Sequence, residues 1–205
     1  MLLSMKTMNK SFLSSCCVFF AALLLATSAW ADTKYYGFKF PDSIELDGKS
    51  LQLNGVGGRS VPVIRLRVFA SALYLPEKCN DPQAITKMVG PKRLQIRMSY
   101  GVAAKEFKKA LIRGIEKNYT AAEQAQLQPR TQAFAAIIDS FIRVEGGDTI
   151  NMDYLPETGL VISVDGKVKG APIVGEDFYA AVLRIFIGER PTDQELKTRL
   201  LGLSS

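Results

Sequence analysis

The sequence predicts an α+β fold in which an antiparallel sheet is covered on one face by a layer of helices. The patterns along the chain come in groups: strands, then helices, then strands, then helices. Asp47-Gly48 is a two-residue hairpin signal between two alternating segments, and such hairpins join antiparallel strands. The helical segments are apolar on one side or all round, so they need a sheet to cover.

Residues 1 to 31 have the pattern of a secretory signal peptide. Lys6 and Lys10 precede a segment of apolar and small residues, and Ala29 and Ala31 occupy the small positions of a processing site. A membrane anchor is disfavoured, because the uninterrupted apolar run CCVFFAALLLA is shorter than the ~20 residues that span a bilayer. We expect cleavage after Ala31, a periplasmic or secreted protein, and one domain over residues 32 to 205.

Composition excludes several classes of function. The chain has 26 Lys and Arg, 20 Asp and Glu, and a net charge of +6, which falls to +4 without residues 1 to 31. This mild, dispersed excess does not indicate nucleic-acid binding. There is no histidine, which excludes Ser-His and Cys-His nucleophile pairs and His-ligated zinc. Only Cys79 remains after cleavage, so no intramolecular disulfide can form. We expect a monomer without metal or cofactor.

The first half of the expected domain reads mainly as strands. KYYGFKF and DSIELDGKSLQLNGVG alternate with a period of two, and a long strand is expected from residue 61 to residue 74. One face of that strand is apolar, whereas the other carries Arg65 and Arg67. DPQAITKMVG predicts a short helix capped by Asp81, and KRLQIRMSY predicts the next strand.

The middle of the chain reads as three helices. Residues 103 to 118 have an apolar face that includes Ala110 and Gly114, and four cations recur every four residues on the other side: Lys105, Lys109, Arg113 and Lys117. We interpret that basic stripe as a solvated face, the alternative being contact with anionic lipid or an acidic partner. TAAEQAQL begins with a Thr120/Glu123 capping box, and RTQAFAAIIDSFI follows as a separate helix.

The last third predicts a strand pair and two helices. The strands turn at residues 156 to 159. EDFYAAVLRIFIG is apolar nearly all round, so it should lie between the sheet and an outer layer. TDQELKTRLLG begins with a Thr192/Glu195 capping box and ends at Gly202, where a left-handed cap is expected.

Two segments resemble the chalcone isomerase-like superfamily. GVGGRSVPVIRLRVFASALYLP looks like its hallmark Gly-rich turn with arginine followed by a strand, and RIFIGERPTDQELKTRLLG is similar to its carboxy-terminal signature. The order of elements between them also fits, so the resemblance covers nearly all of residues 32 to 205. It implies an open-faced β-sandwich in which a large antiparallel sheet and a layer of helices enclose a cleft.

The resemblance also implies a role for Arg59. The matching arginine steadies a phenolate in the isomerases and holds a carboxylate in the fatty-acid-binding branch. Independently of the family, a guanidinium at the mouth of an apolar cleft offers paired donors to a planar anion. The alternative is that Arg59 is a solvated turn residue.

Departures from the isomerase pattern argue against catalysis. Phe69 stands where the isomerases carry a threonine, residues 102 to 104 are apolar where they place a tyrosine, and Ile185 replaces a polar residue. A developing enolate would therefore lack hydroxyl donors. Tyr74 and Tyr100 remain as hydroxyls, or as amphipathic residues at the edge of the core.

The sequence thus favours a non-catalytic protein that binds a hydrophobic acidic ligand, such as a fatty acid, in an apolar cleft. The candidate ligand-binding residues are Arg59, Phe69, Tyr74, Tyr100 and Ile185. Two alternatives stay open: an isomerase or lyase acting on a phenolic or enone substrate, and a module that contacts a membrane or another protein.

Overall fold

The computed structural model of the chain describes residues 32 to 64 and 66 to 203. The predicted signal peptide and Arg65 lie outside the described residues. The described residues form one compact unit.

A seven-stranded antiparallel sheet is the main element of this unit. Its strands follow the spatial order β11-β10-β9-β6-β5-β4-β3. Their bounds are β3 Ser43–Leu46, β4 Lys49–Val61, β5 Leu66–Leu75, β6 Lys92–Met98, β9 Thr149–Leu155, β10 Gly159–Val164 and β11 Lys167–Val168. A separate hairpin joins β1 Asp32–Tyr35 to β2 Phe38–Pro41, and β7 Val102–Ala103 pairs with β8 Arg143–Val144.

In the described part of the chain, five helices accompany the sheet: α1 Pro82–Lys87, α2 Ala104–Lys117, α3 Ala121–Asp139, α4 Glu176–Ile187 and α5 Gln194–Leu200. α4 is buried on nearly all sides and contacts β10, α1, α2 and α5, as its apolar sequence predicts. The predicted α+β class, with one large antiparallel sheet and a helical layer, is confirmed. None of these helices has the length and apolar character needed to cross a membrane.

The sheet separates two hydrophobic clusters, and β5 contributes to both. Leu73 and Leu75 face the helix-side cluster, which contains α4 and the inner residues of β6, β9 and β10. The alternate residues of β5 face the hairpin-side cluster, which comprises Phe40, Leu51, Leu53, Val56, Ala70, Ala72 and Tyr74. The alternation of side chains along a strand places neighbouring residues in different clusters. This separation decides which residues can reach a common site.

Several local predictions are confirmed. Asp47 and Gly48 adopt the positive φ angles of 53° and 67° that a tight hairpin turn requires. Asp81 caps α1 by accepting a hydrogen bond from the backbone N–H of Gln83. Thr120 and Glu123 form the predicted capping box, and Gly202 ends α5 with a φ of 67°.

The predicted strand over residues 61 to 74 is wrong at its beginning. β4 extends to Val61, a turn of 3-10 helix spans Pro62–Ile64, and β5 begins at Leu66. The apolar run around Pro62 suggested one continuous strand. Proline, however, has no N–H for the hydrogen-bond ladder, so it favours a break between two paired strands.

The two helices predicted on either side of Pro129 are one helix, α3. Proline removes the hydrogen bond to the carbonyl four residues earlier, which belongs to Ala125. Both Pro129 and Ala125 are exposed. Water can therefore satisfy the freed carbonyl, and the helix continues.

Tyr74→Phe should leave the free energy of unfolding at neutral pH unchanged or raise it by about 1 kcal/mol. Tyr74 is fully buried in the hairpin-side cluster, and its hydroxyl has no hydrogen-bond partner among the described residues. Chemical denaturation of both proteins measures the difference. Tyr100→Phe, which removes an exposed hydroxyl, is the control and should leave stability unchanged.

Tyr74→Phe should also reduce the loss of stability at alkaline pH. Burial raises the pKa of the Tyr74 hydroxyl above its usual value of 10. The folded protein therefore retains a proton that the unfolded chain loses above pH 10, and stability that is complete below pH 10 falls as the pH rises further. Unfolding free energies measured between pH 8 and pH 11 should fall less steeply in the variant. An identical slope would contradict this assignment.

Candidate anion-binding site

Glycines in β4 allow α5 to lie directly on the sheet. A Cβ atom on Gly55 would stand 2.1 Å from the carbonyl oxygen of Arg199, and one on Gly57 would stand 2.9 Å from the side chain of Leu196. A Cβ on Gly58, on the opposite face, would stand 2.4 Å from the ring of Tyr36. The Gly-rich segment is therefore not the turn that the resemblance implied. It is strand backbone that is approached closely from both sides.

Arg59 follows these glycines and lies in β4, at a bulge between Arg59 and Ser60. It is half-buried and pairs with Phe69 of β5. Phe69 belongs to the helix-side cluster, and the guanidinium of Arg59 also reaches the helical layer. Arg59 is thus a strand residue near the end of β4, and its interpretation as a turn residue is wrong.

The hydroxyl of Thr192 is the hydrogen-bond partner of the Arg59 guanidinium. Nη1 of Arg59 donates a hydrogen bond of 3.1 Å to the hydroxyl oxygen of Thr192. Thr192 is itself fixed, because its backbone N–H donates to the carbonyl of Ile185 at 2.8 Å.

The predicted Thr192/Glu195 capping box is wrong. Asp193 caps α5 by accepting a 3.0 Å hydrogen bond from the backbone N–H of Leu196. Glu195 instead accepts from Arg199 one turn later, also at 3.0 Å. A carboxylate caps a helix as well as a hydroxyl does, so a shift of one residue leaves the hydroxyl of Thr192 available to Arg59.

A cavity of about 170 Å³ opens beside the guanidinium of Arg59. Its lining residues are Arg59, Ala110, Arg113, Gly114, Lys117 and Thr192. Ala110, predicted to be part of the buried face of α2, is exposed and forms part of this wall. Half of the lining residues are cations, so the cavity is electropositive.

Among the described residues, no carboxylate lies within 4.0 Å of the charged groups of Arg59, Arg113 or Lys117. Like charges near one another repel, and an anion between them relieves that repulsion. Arginine additionally offers a planar set of donors that matches a carboxylate or a phosphate. The cavity has the charge and donors of an anion site.

The inner end of the cavity is closed where α2 crosses α4. A Cβ on Gly114 would stand 2.5 Å from Cγ2 of Ile185, so the two helices touch at this point. Ile185 is buried in the helix-side cluster. The apolar cleft expected behind Arg59 is therefore filled by side chains in this structure, and the predicted ligand residues Phe69 and Ile185 belong to the helix-side cluster, not to the lining of the cavity.

The two predicted tyrosines lie away from this cavity. Tyr74 is on the hairpin side of the sheet, opposite the guanidinium of Arg59. The Tyr100 side chain is 54% exposed, and its backbone N–H donates to the carbonyl of Val68. The structure thus brings together Arg59, Phe69 and Ile185, whereas it separates Tyr74 and Tyr100 from them.

The chain matches the family model described as chalcone isomerase-like over residues 32 to 202. The chain belongs to the chalcone isomerase-like family. Among solved structures it is similar to a fatty-acid binding protein of Arabidopsis thaliana, with a TM-score of 0.64 and 17% sequence identity. That alignment covers 83% of this chain and 96% of the plant protein. A comparison with curated proteins finds no match.

In this chalcone isomerase-like chain, Arg113 and Lys117 are the site residues that the sequence interpretation missed. The sequence predicts that both belong to a solvated basic stripe on α2, whereas in the structure both line the cavity of Arg59. Their spacing of four residues showed that they share a helix face. It did not show that the carboxy-terminal half of this face lies across a cavity from Arg59 of β4. No group of three or more His, Cys, Asp or Glu in the described part of the chain is arranged to hold a metal ion.

Lys92 is a buried cation that serves a different purpose. Its ammonium group donates to the carbonyls of Met88 and Gly90 and lies 3.7 Å from a carboxylate oxygen of Glu176. Burial lowers the pKa of Lys92, and Glu176 partly opposes this shift. Because its side chain is fully buried, Lys92 connects the loop before β6 to α4 and is not open to a ligand.

Gly55→Ala should destabilise the protein by about 3 kcal/mol, since overpacking forces the backbones of β4 and α5 apart. Thermal and chemical unfolding measure this loss. Gly146→Ala is the matched control, because its Cβ would meet its nearest neighbour only at 3.4 Å. If the two variants lose the same free energy of unfolding, close contact between β4 and α5 is not required for stability.

Proposed function

We propose that this protein binds, without catalysing a reaction, a hydrophobic molecule with an acidic head group, such as a fatty acid, in the periplasm. The observation that carries the proposal is the guanidinium of Arg59, which opens into an electropositive cavity and is bonded to a neutral hydroxyl. The head group would accept hydrogen bonds from Arg59 and lie near Arg113 and Lys117.

The volume of the cavity is sufficient for the head group of such a ligand but not for its apolar tail. At about 170 Å³ it is smaller than the roughly 300 Å³ at which pockets for small molecules begin. The head group therefore fits the observed cavity, but a long apolar tail does not. The tail would enter between α2 and α4 by displacing the Ile185 side chain from its contact with Gly114.

Two further observations support a binding role. The fold is shared with a fatty-acid binding protein of Arabidopsis thaliana. Among the lining residues, Thr192 supplies the one hydroxyl, and its oxygen already accepts from Arg59. An enolate forming in the cavity would have few donors other than cations, so we do not propose the isomerase alternative.

Arg59→Ala should weaken the binding of a long-chain fatty acid by about 1.5–3 kcal/mol, the range for a hydrogen bond to a charged group. Arg59→Lys should recover part of this loss, because an ammonium keeps the charge but not the paired donors. Displacement of a fluorescent fatty acid by oleate measures the affinities. Arg67→Ala, which removes a cation outside the cavity, should bind normally.

The same variants should differ little in stability. Arg59→Ala removes the hydrogen bond to Thr192, so it should lower the free energy of unfolding by about 1 kcal/mol. Unchanged affinity in both Arg59 variants would remove Arg59 as the anchor of the head group. A much larger loss of stability would make Arg59 a structural residue instead.

Ile185→Ala should lower stability by about 2–5 kcal/mol and increase the stabilisation that oleate provides. The ligand tail would fill the space left by the isoleucine side chain. Thermal unfolding with and without oleate measures both effects. Ile187→Ala, on the same helix and equally buried, should show the loss without the added stabilisation. Equal responses in the two variants would contradict a tail path between α2 and α4.

A further inference from the structure

The turn between the two longest strands of the sheet has an unusual composition. Turns are rich in Gly, Pro, Asn, Asp and Ser, yet here two large apolar side chains of the turn, and one at the end of β4, are exposed to solvent. Val61 is 38% exposed, Val63 is 93% exposed and Ile64 is 66% exposed. We name Val61, Val63 and Ile64 the apolar tip. These side chains do not pack in the core, so packing does not explain why they are apolar. An apolar environment outside the molecule would explain it.

Four cations surround the base of the apolar tip, and we name them the cationic collar: Arg59, Arg67, Arg113 and Lys117. Arg59 precedes Val61 by two residues, and Arg67 pairs with Ser60 on the facing strand. Arg113 and Lys117 share the cavity of Arg59. Within the described ranges, none of the four has a carboxylate within 4.0 Å.

Tyr100 lies at the same end of the sheet. Its backbone N–H donates to the carbonyl of Val68, two residues beyond Leu66, which pairs with Val61. The side chain is half-exposed. Tyrosine is typical of the boundary between water and lipid, where its ring is apolar and its hydroxyl is hydrated.

We propose that this end of the sheet docks on the surface of an anionic lipid bilayer. The apolar tip inserts below the head groups, and the cationic collar contacts lipid phosphates. A strand rises about 3.3 Å per residue, which places the backbone of Arg59 roughly 7 Å behind Val61. Peripheral elements bury their apolar side about 5–10 Å into the boundary of the head groups, so the collar lies at phosphate depth. The proposal does not depend on ligand binding in the cavity.

Tryptophan fluorescence can test the insertion directly. The one tryptophan of the chain is Trp30, so a protein starting at residue 32 contains none, and this part includes both hydrophobic clusters. Val63→Trp places a reporter at the apolar tip. Val174→Trp is the matched control, because Val174 is 75% exposed and lies next to the acidic first turn of α4.

With vesicles of phosphatidylglycerol and phosphatidylcholine, the emission of Val63→Trp should shift to the blue, and that of Val174→Trp should not. Vesicles of phosphatidylcholine alone should give a much smaller shift, because their surface has no net negative charge that attracts the cationic collar. High salt should weaken the shift by screening. A shift at both positions, or at neither, would overturn the proposal.

Cosedimentation with the same vesicles separates the tip from the collar. Val63→Ser combined with Ile64→Ser should lower the partition coefficient at least tenfold, whereas Val174→Ser should leave it unchanged. Arg67→Gln should lower it about fivefold. Because Arg67 lies outside the cavity, this variant should keep its affinity for oleate, which distinguishes failure of membrane docking from failure of ligand binding.

Self-association is the competing use of an apolar tip. Sedimentation velocity of the native sequence and of the Val63→Ser, Ile64→Ser variant, without lipid, measures it. A monomer in both cases is expected. A dimer that the double substitution dissociates would overturn the proposal, because the tip would then be covered by a second copy of the chain.

Discussion

The direct contact between α5 and the glycines of β4 is the constraint on which the site depends. Gly55 and Gly57 have no side chains, so the backbone of α5 lies against the strand itself. Asn54 reinforces the contact: its side chain donates to the carbonyl of Leu200 and accepts from the backbone N–H of Cys79, both at 2.8 Å. With α5 fixed in this position, Thr192 just before it meets the guanidinium of Arg59.

The cations of the candidate site differ from two paired arginines elsewhere in the protein. Arg93 makes two 2.6 Å hydrogen bonds to Asp153, and Arg130 bonds to both carboxylate oxygens of Asp177. The neighbouring guanidinium holds the pKa of Asp177 below its usual value. Arg59 instead donates to the neutral hydroxyl of Thr192, and Arg113 and Lys117 line the same cavity. An external anion is the partner that the arrangement accommodates.

The side chains that close the cavity behind Arg59 also stabilise the fold. A domain without disulfides is stabilised mainly by its packed core, and the Phe69 and Ile185 side chains that fill the space behind Arg59 are part of that core. An apolar tail can occupy this space only by replacing equivalent contacts. At Gly114 the isoleucine side chain packs against the helix backbone, so this is the contact that an entering tail would replace.

The sequence by itself determined the fold class, the alternation of strands, most helix caps and the family, because hydrophobic period, turn residues and capping residues act over a few positions. It also singled out Arg59. Tertiary structure decided which residues meet Arg59: the pairing of β4 with β5 brought Phe69, and the packing of α5 brought Thr192. The position of α2 across the cavity from β4 brought Arg113 and Lys117, whereas strand alternation placed Tyr74 on the opposite side. These contacts join residues far apart in the chain, and no local pattern specifies them.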